Sequence, residues 1–304
     1  MSIDSLTPIP TPAAPPRRGR TRVAKNAPDA MQGRVLAGRY RITQRIARGG
    51  MGTVYLARST EDGSLVAVKV LRDDLLLDIR VRERFMYESR AASRIVHPAV
   101  ARTYEVGETA ESELFIVMEY VNGPPLRKLI RAGRMSALRV VLIGAAIAEG
   151  LAAAHEKGVI HRDLKPENVL LPRGSQVKSV VKLVDFGIAR IVDAPRITTT
   201  RHVLGTPQYV SPEQAMGGPI DNRSDVYALG VILYEMIAGA LPFDGDDPEA
   251  ILRKHIKSRP TPLHELGVAV APDLERLVMR CLEKSPRSRP DSMEQIIAAL
   301  AALD

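Results

Sequence analysis

From residue 38 onward the chain alternates short apolar-rich runs with turns. YRITQRIA, TVYLAR and SLVAVKVL read as three strands, separated by turns at GGMG and EDGS. A charged, helix-compatible stretch runs from about Asp78 to Ile95 and stops at His97-Pro98. Two more strand-like runs, VARTYEVGE and ELFIVMEYV, complete a small antiparallel sheet with one helix. After Gly123-Pro124-Pro125 the pattern turns helical: Val140, Ile143, Ile147, Leu151 and Ala154 mark one face, and Leu274, Leu277, Val278, Cys281 and Leu282 mark another. The longest nearly apolar run, Val226 to Phe243, has membrane-spanning length. Glu235 and Pro242 interrupt it and Asp225 precedes it, so it reads as a buried helix and not as a membrane span. The expected fold class is α+β, with a β-rich lobe over about 38–120, a larger helical lobe over about 121–304, a junction near 119–124 and no internal repeat.

Composition agrees with a packed core: of 304 residues 45% are hydrophobic and 26% charged, which excludes whole-chain disorder, a collagen-like repeat and a disulfide scaffold. Tryptophan is absent, so Leu, Val, Ile, Ala and Met must build that core. The single cysteine, Cys281, cannot form an internal disulfide or a cysteine-based zinc site. Its place on a helix face predicts a packed thiol, and a reducing, cytoplasmic setting fits. The start, MSIDSLTPIPTPAAPP, lacks the charged and apolar blocks of a signal peptide.

The net charge of +8 is uneven. Residues 1–34 carry six basic residues against Asp4 and Asp29, half of the whole excess, together with six prolines and no aromatic residue. Residues 1–37 are therefore expected to be a disordered, basic, proline-rich arm. Its Arg17-Arg18-Gly19-Arg20 run could touch an anionic partner, but a solvated tail is the simpler reading.

Four short stretches carry candidate chemistry. Ala47-Arg48-Gly49-Gly50-Met51-Gly52-Thr53-Val54 lies between two strands, either as a glycine-rich hairpin turn or as a loop whose amides approach phosphate. It precedes a strand, which argues against a Rossmann or P-loop site. Val66-Ala67-Val68-Lys69 places a lysine among apolar neighbours. It is either an edge-strand side chain facing water or a half-buried ammonium needing a partner, for which Glu88 on the next helix is the candidate. His161-Arg162-Asp163-Leu164-Lys165-Pro166-Glu167-Asn168 gathers a base, a cation and an uncharged metal ligand, and its proline stops a helix from running through. Asp185-Phe186-Gly187 follows the strand-like VVKLV and sets a carboxylate where a hard cation could be held.

In this order and at these spacings, the four stretches resemble the signature set of the protein kinases. The likeness extends through Ser211-Pro212-Glu213, in place of the usual A-P-E, to Asp225 and Arg289, and covers about 38–304. GTPQYVSPEQA and HRDLKPEN most resemble bacterial, eukaryotic-like serine/threonine kinases. The resemblance implies a bilobal kinase fold and ATP-dependent transfer of phosphate to Ser/Thr hydroxyls of protein substrates, with Mg²⁺ or Mn²⁺ as the metal. It also admits a homodimer and gives no role to nucleic acid.

Carried over residue by residue, it assigns the ATP phosphates to the loop of Ala47, Arg48, Gly49, Gly50, Met51, Gly52 and Thr53 and to Lys69, which would pair with Glu88. The adenine would lie among Ile46, Val54, Ala67 and Leu170, against the backbone of Glu119 and Val121, with Met118 behind. Asn168 and Asp185 would hold the metal, Asp163 would take or orient the acceptor's proton, and Lys165 would steady the γ-phosphate. Lys165 and Thr206 point to Ser/Thr acceptors. Thr198, Thr199 and Thr200 are the expected autophosphorylation sites, with Arg162 and Arg190 as receivers of the added charge. Glu213 and Arg289 would form an internal ion pair.

One departure matters: Ala47 stands where the family has its first loop glycine, and its Cβ is expected to restrict loop closure and weaken ATP binding. It is the sole support for the alternative of a pseudokinase or scaffold that binds nucleotide without efficient catalysis. A small-molecule phosphotransferase conflicts with the threonine-bearing segment, and a nucleic-acid binder would need a basic face beyond the arm. His97, His155, His202, His255 and His264 show no ligand spacing and read as structural or exposed.

Overall fold

The computed structural model describes residues 29–50, 52–72, 78–174, 179–186 and 206–303. Met51, Gly187, Arg190, Thr198, Thr199, Thr200 and His202 lie outside the described residues. The first lobe is a six-stranded antiparallel sheet of β1 (Val35–Leu36), β2 (Tyr40–Arg48), β3 (Gly52–Ser59), β4 (Leu65–Leu71), β5 (Thr103–Glu108) and β6 (Leu114–Glu119). Its spatial order is β1-β2-β3-β4-β6-β5. β4 is therefore a central strand, buried on both faces because its alternate residues meet different layers. Val66, Val68 and Val70 join Leu36, Ile42 and Tyr55 on one side; Ala67 and Leu71 join Phe85 and Ile116 on the other. Lys69 shares the second face, so it is not an edge-strand lysine.

The packed domain begins before residue 38. Val35 and Leu36 pair with Arg41 and Tyr40, and Leu36 is 1% exposed. Asp29 bonds Arg45 at 3.1 Å, and Arg34 reaches Glu111 at 3.0 Å and Glu113 at 2.8 Å. The arm predicted over 1–37 is thus corrected for 29–37. Met31 and Leu36 supply apolar contacts that the proline and arginine content of the whole stretch concealed.

The second lobe holds α2 (Leu126–Ile130), α3 (Ala137–Glu156), the hairpin β7 (Val169–Leu170) and β8 (Lys182–Leu183), α4 (Pro212–Ala215), α5 (Arg223–Ala238), α6 (Pro248–Lys257), α7 (Pro272–Cys281) and α8 (Met293–Ala301). α5 is the core: every residue from Ser224 to Ala238 is buried. α3 is long and apolar enough by composition to cross a membrane, yet it packs Val140, Ile147 and Leu151 into the same core. Cys281 is fully buried beside α5, and that burial pushes its thiol up to about 12. A Cβ on Gly230 would stand 2.6 Å from the Cys281 Cβ, so α5 and α7 meet at a glycine. Between sheet and core lies α1 (Ile79–Ala92), which buries only Phe85 and Ser89 among its 14 residues.

Candidate active site

The segment after α3 is held by the buried carboxylate of Asp225, at the start of α5. Its Oδ2 accepts the His161 N–H at 2.8 Å and its Oδ1 accepts the Arg162 N–H at 2.9 Å. His155 Nε2 lies 2.8 Å from the same Oδ2, so this histidine helps to orient the anchor. Arg162 has φ 63°, a left-handed conformation that L side chains avoid. The two bonds to Asp225 and a third from Gln214 Nε2 to the Arg162 carbonyl (3.0 Å) offset that strain. The outcome is a fixed aim for Asp163: Lys165 Nζ donates to its Oδ2 at 2.7 Å, and Asn168 Nδ2 donates to its carbonyl at 2.8 Å and to Oδ2 at 3.2 Å.

Asp185 reaches the same place from β8, also left-handed at φ 62°. The Val184 N–H donates to the Asn168 carbonyl at 3.0 Å, and His161 Nε2 donates to the Val184 carbonyl at 3.1 Å. Phe186 packs against the His161 ring, centroids 4.6 Å apart. Lys69 Nζ donates to Asp185 Oδ1 at 2.7 Å. Burial alone would raise the Asp185 carboxyl, but the fields of Lys69, His161 and Lys165 hold it below the usual carboxylate range. It is ionised at neutral pH.

The expected Lys69–Glu88 pair is absent: Lys69 is bonded to Asp185, and Glu88 Oε1 accepts Arg162 NH1 at 2.9 Å with Arg84 Nε at 3.4 Å. The reason is electrostatic. Two guanidinium groups face Glu88, and Lys69 already has a carboxylate partner in Asp185. Glu88 and Lys69 thus stand at the site without meeting.

The glycine loop joins β2 to β3, with Ala47 opposite Val54 and Arg48 opposite Thr53. The Gly49 N–H donates to the Gly52 carbonyl at 2.9 Å, and Arg72 NH1 donates to the Gly50 carbonyl at 3.0 Å. Ala47 lies within β2 and is not among the residues with positive φ, so its position demands no glycine. A Cβ on Gly52, by contrast, would stand 2.3 Å from the Val70 carbonyl oxygen. Of the residues expected around the adenine, Ala67, Met118 and Val121 are buried, Val54, Glu119 and Leu170 half-buried and Ile46 exposed.

Spacing did not reveal the cluster around Arg127. From α2 its Nε donates to Glu167 at 2.7 Å and its NH1 to Glu235 at 2.6 Å; Tyr209 bonds both Arg127 and Glu235. This ties the catalytic segment, α5 and the residues after Thr206 together, and no local pattern announces it. Glu213 and Arg289 do pair as expected, through two contacts of 2.8 Å with Arg289 fully buried, and Ser224 Oγ donates to the same carboxylate.

A profile of the family described as protein kinase domain matches residues 40–299. This chain belongs to that family. The kinase domain is 42% identical over 283 residues to the serine/threonine-protein kinase pkn3 of Myxococcus xanthus, covering 91% of this chain and 52% of that protein. It is 39% identical over 270 residues to the serine/threonine-protein kinase PknB of Mycobacterium leprae, covering 87% and 43%. This kinase domain accordingly spans about half the length, or less, of these curated relatives. Among solved structures, the PknI kinase domain of Mycobacterium tuberculosis superposes with a TM-score of 0.69 at 29% identity, covering 90% of this chain and 98% of that one.

Proposed function

We propose that this kinase domain transfers the γ-phosphate of ATP to serine or threonine hydroxyls of proteins in the cytoplasm. The observation that carries the reading is that Lys165 and Asn168 bond Asp163 while Lys69 bonds Asp185, the two sets being linked where the Val184 N–H, next to Asp185, donates to the Asn168 carbonyl. Phosphoryl transfer needs positioning and charge neutralisation more than covalent help, and these side chains provide both.

The adenine is assigned to the slot of Ile46, Val54, Ala67 and Leu170, closed behind by Met118 and read by the backbone of Glu119 and Val121. Lys69 takes the α- and β-phosphates, and the Gly49 and Gly50 segment covers them. The donor set fits magnesium: Asp185 offers an ionised oxygen, and Asn168, its nitrogen bonded to Asp163, turns its oxygen end elsewhere. Bound there, magnesium supplies neutralisation of the phosphate charge. Asp163 Oδ2 receives the proton of the acceptor hydroxyl, and Lys165 moves from Asp163 to the γ-phosphate.

Two partners must change for the site to act. Lys69 exchanges Asp185 for phosphate, and Glu88 leaves Arg162 for Lys69. A phosphate on Thr198, Thr199 or Thr200 would compete for Arg162, and so favour release of Glu88. The test incubates wild type and Asp163→Asn with γ-labelled ATP and magnesium. Label on protein in wild type alone, with nucleotide still bound by the variant, is the expected result; equal label in both would overturn the assignment of Asp163.

A further inference from the structure

Glu119 ends β6 in the first lobe, and Lys182 opens β8 in the second. Their side chains meet across the junction at 2.7 Å, Lys182 18% and Glu119 28% exposed. The contact closes a cycle of bonds. The Glu119 N–H donates to the Arg102 carbonyl at 2.8 Å, and the Arg102 N–H donates back to Glu119 Oε2 at 3.1 Å. The Ala101 N–H donates to the Leu183 carbonyl at 2.9 Å, and the Leu183 N–H to the Ala99 carbonyl at 2.7 Å. Lys182 Nζ, next to Leu183, then returns to Glu119 Oε2 and also bonds the Val100 carbonyl at 3.3 Å.

We propose that Lys182 is a positioning residue for adenine: through the Glu119 carboxylate it fixes the end of β6, whose backbone presents the nucleotide base with its hydrogen-bonding edge. Every other bond of the cycle is made by main chain on at least one side, so Lys182–Glu119 is its one link between two side chains, and a substitution of Lys182 cuts it without touching the strand-to-strand bonds. An ion pair half withdrawn from water is screened less than a surface pair. Its second carbonyl acceptor also limits the ammonium's freedom, so the pair holds one geometry. The inference rests on the assignment of Glu119 and Val121 to the adenine seat.

β8 also leads to Asp185, three residues on, so Lys182 could instead act on the metal side of the site. The two routes separate experimentally. Adenosine, which carries no phosphate, reports on the adenine seat alone, and kcat reports on Asp185. In Lys182→Met, calorimetric adenosine binding should weaken about fivefold and the KM for ATP should rise by the same factor, with kcat within about twofold. Lys182→Arg, which keeps the charge, should restore both. Glu119→Gln, which still accepts the Arg102 N–H, should shift binding in the same direction, and the double variant should be no weaker than Lys182→Met. Unchanged adenosine affinity in Lys182→Met, or a fall in kcat at constant KM, would overturn the proposal while leaving the site assignment standing. Failure of the wild type itself to bind adenosine would remove both.

Discussion

Lys69, Asp163 and Asp185 are each held by a partner that the proposed reaction would displace or use, and this makes their substitution informative. Lys69→Met should lower kcat about a hundredfold or more, and Asp163→Asn by a similar factor, with circular dichroism unchanged, since each removes charge stabilisation or the proton acceptor and not packing. Ala47→Gly should change the KM for ATP less than about twofold, because Ala47 sits in β2 without positive φ. A large gain of affinity would show that the Cβ does restrict the loop. Gly52→Ala is the demanding change, since the new methyl meets a backbone oxygen. The proposed roles of these residues rest on neighbours in sequence: Lys69 on alternating valines, Asp163 on Lys165 and Asn168. Glu88 was legible only as a candidate. Its partner depends on where α1 lies, which no local pattern encodes.

At the level of elements, stability is concentrated in α5 and its contacts. Glu213, after Ser211 and Pro212, meets the buried Arg289 across the lobe. Burial would raise its carboxyl, but Arg289 and Ser224 lower it from 4.5 to about 2. A depressed carboxylate contributes stability that is present above pH 4.5 and lost as pH falls toward 2. The pair should therefore contribute about 3 kcal/mol at neutral pH that disappears across that window. Glu213→Gln should lower the melting temperature at pH 7 and flatten its fall between pH 4.5 and 2; identical profiles would contradict the coupling. Gly230→Ala should cost about 1–3 kcal/mol in chemical denaturation by wedging α5 from Cys281. The helical spacing of Leu274, Leu277, Val278 and Cys281 announced α7 and its buried face, and the valine alternation announced β4. The start of the sheet was hidden, because two residues, Val35 and Leu36, are too short a signal among prolines and arginines.

Across the whole molecule, the two lobes would supply complementary halves of the proposed site: the sheet Lys69 and the residues assigned to adenine, the helical lobe Asp163, Asn168 and Asp185. Lys182–Glu119 and Arg162–Glu88 tie the lobes together, and Arg127 ties the second lobe to itself, through contacts between residues far apart in sequence, which is why motif reading found the halves and missed these ties. Glu88 is engaged by Arg162 and Arg84 while Lys69 is engaged by Asp185, so the two do not pair. Release of Glu88 by phosphate predicts that changing Thr198, Thr199 and Thr200 together to alanine lowers kcat about tenfold or more toward a protein substrate; equal activity would remove that role. The most direct measurement is phosphoamino-acid analysis and site mapping after incubation with γ-labelled ATP and magnesium. The account predicts phosphothreonine and phosphoserine, with label in the Thr198–Thr200 segment and none in Asp163→Asn. Phosphotyrosine as the main product, or bound ATP with no phosphoamino acid formed, would contradict it.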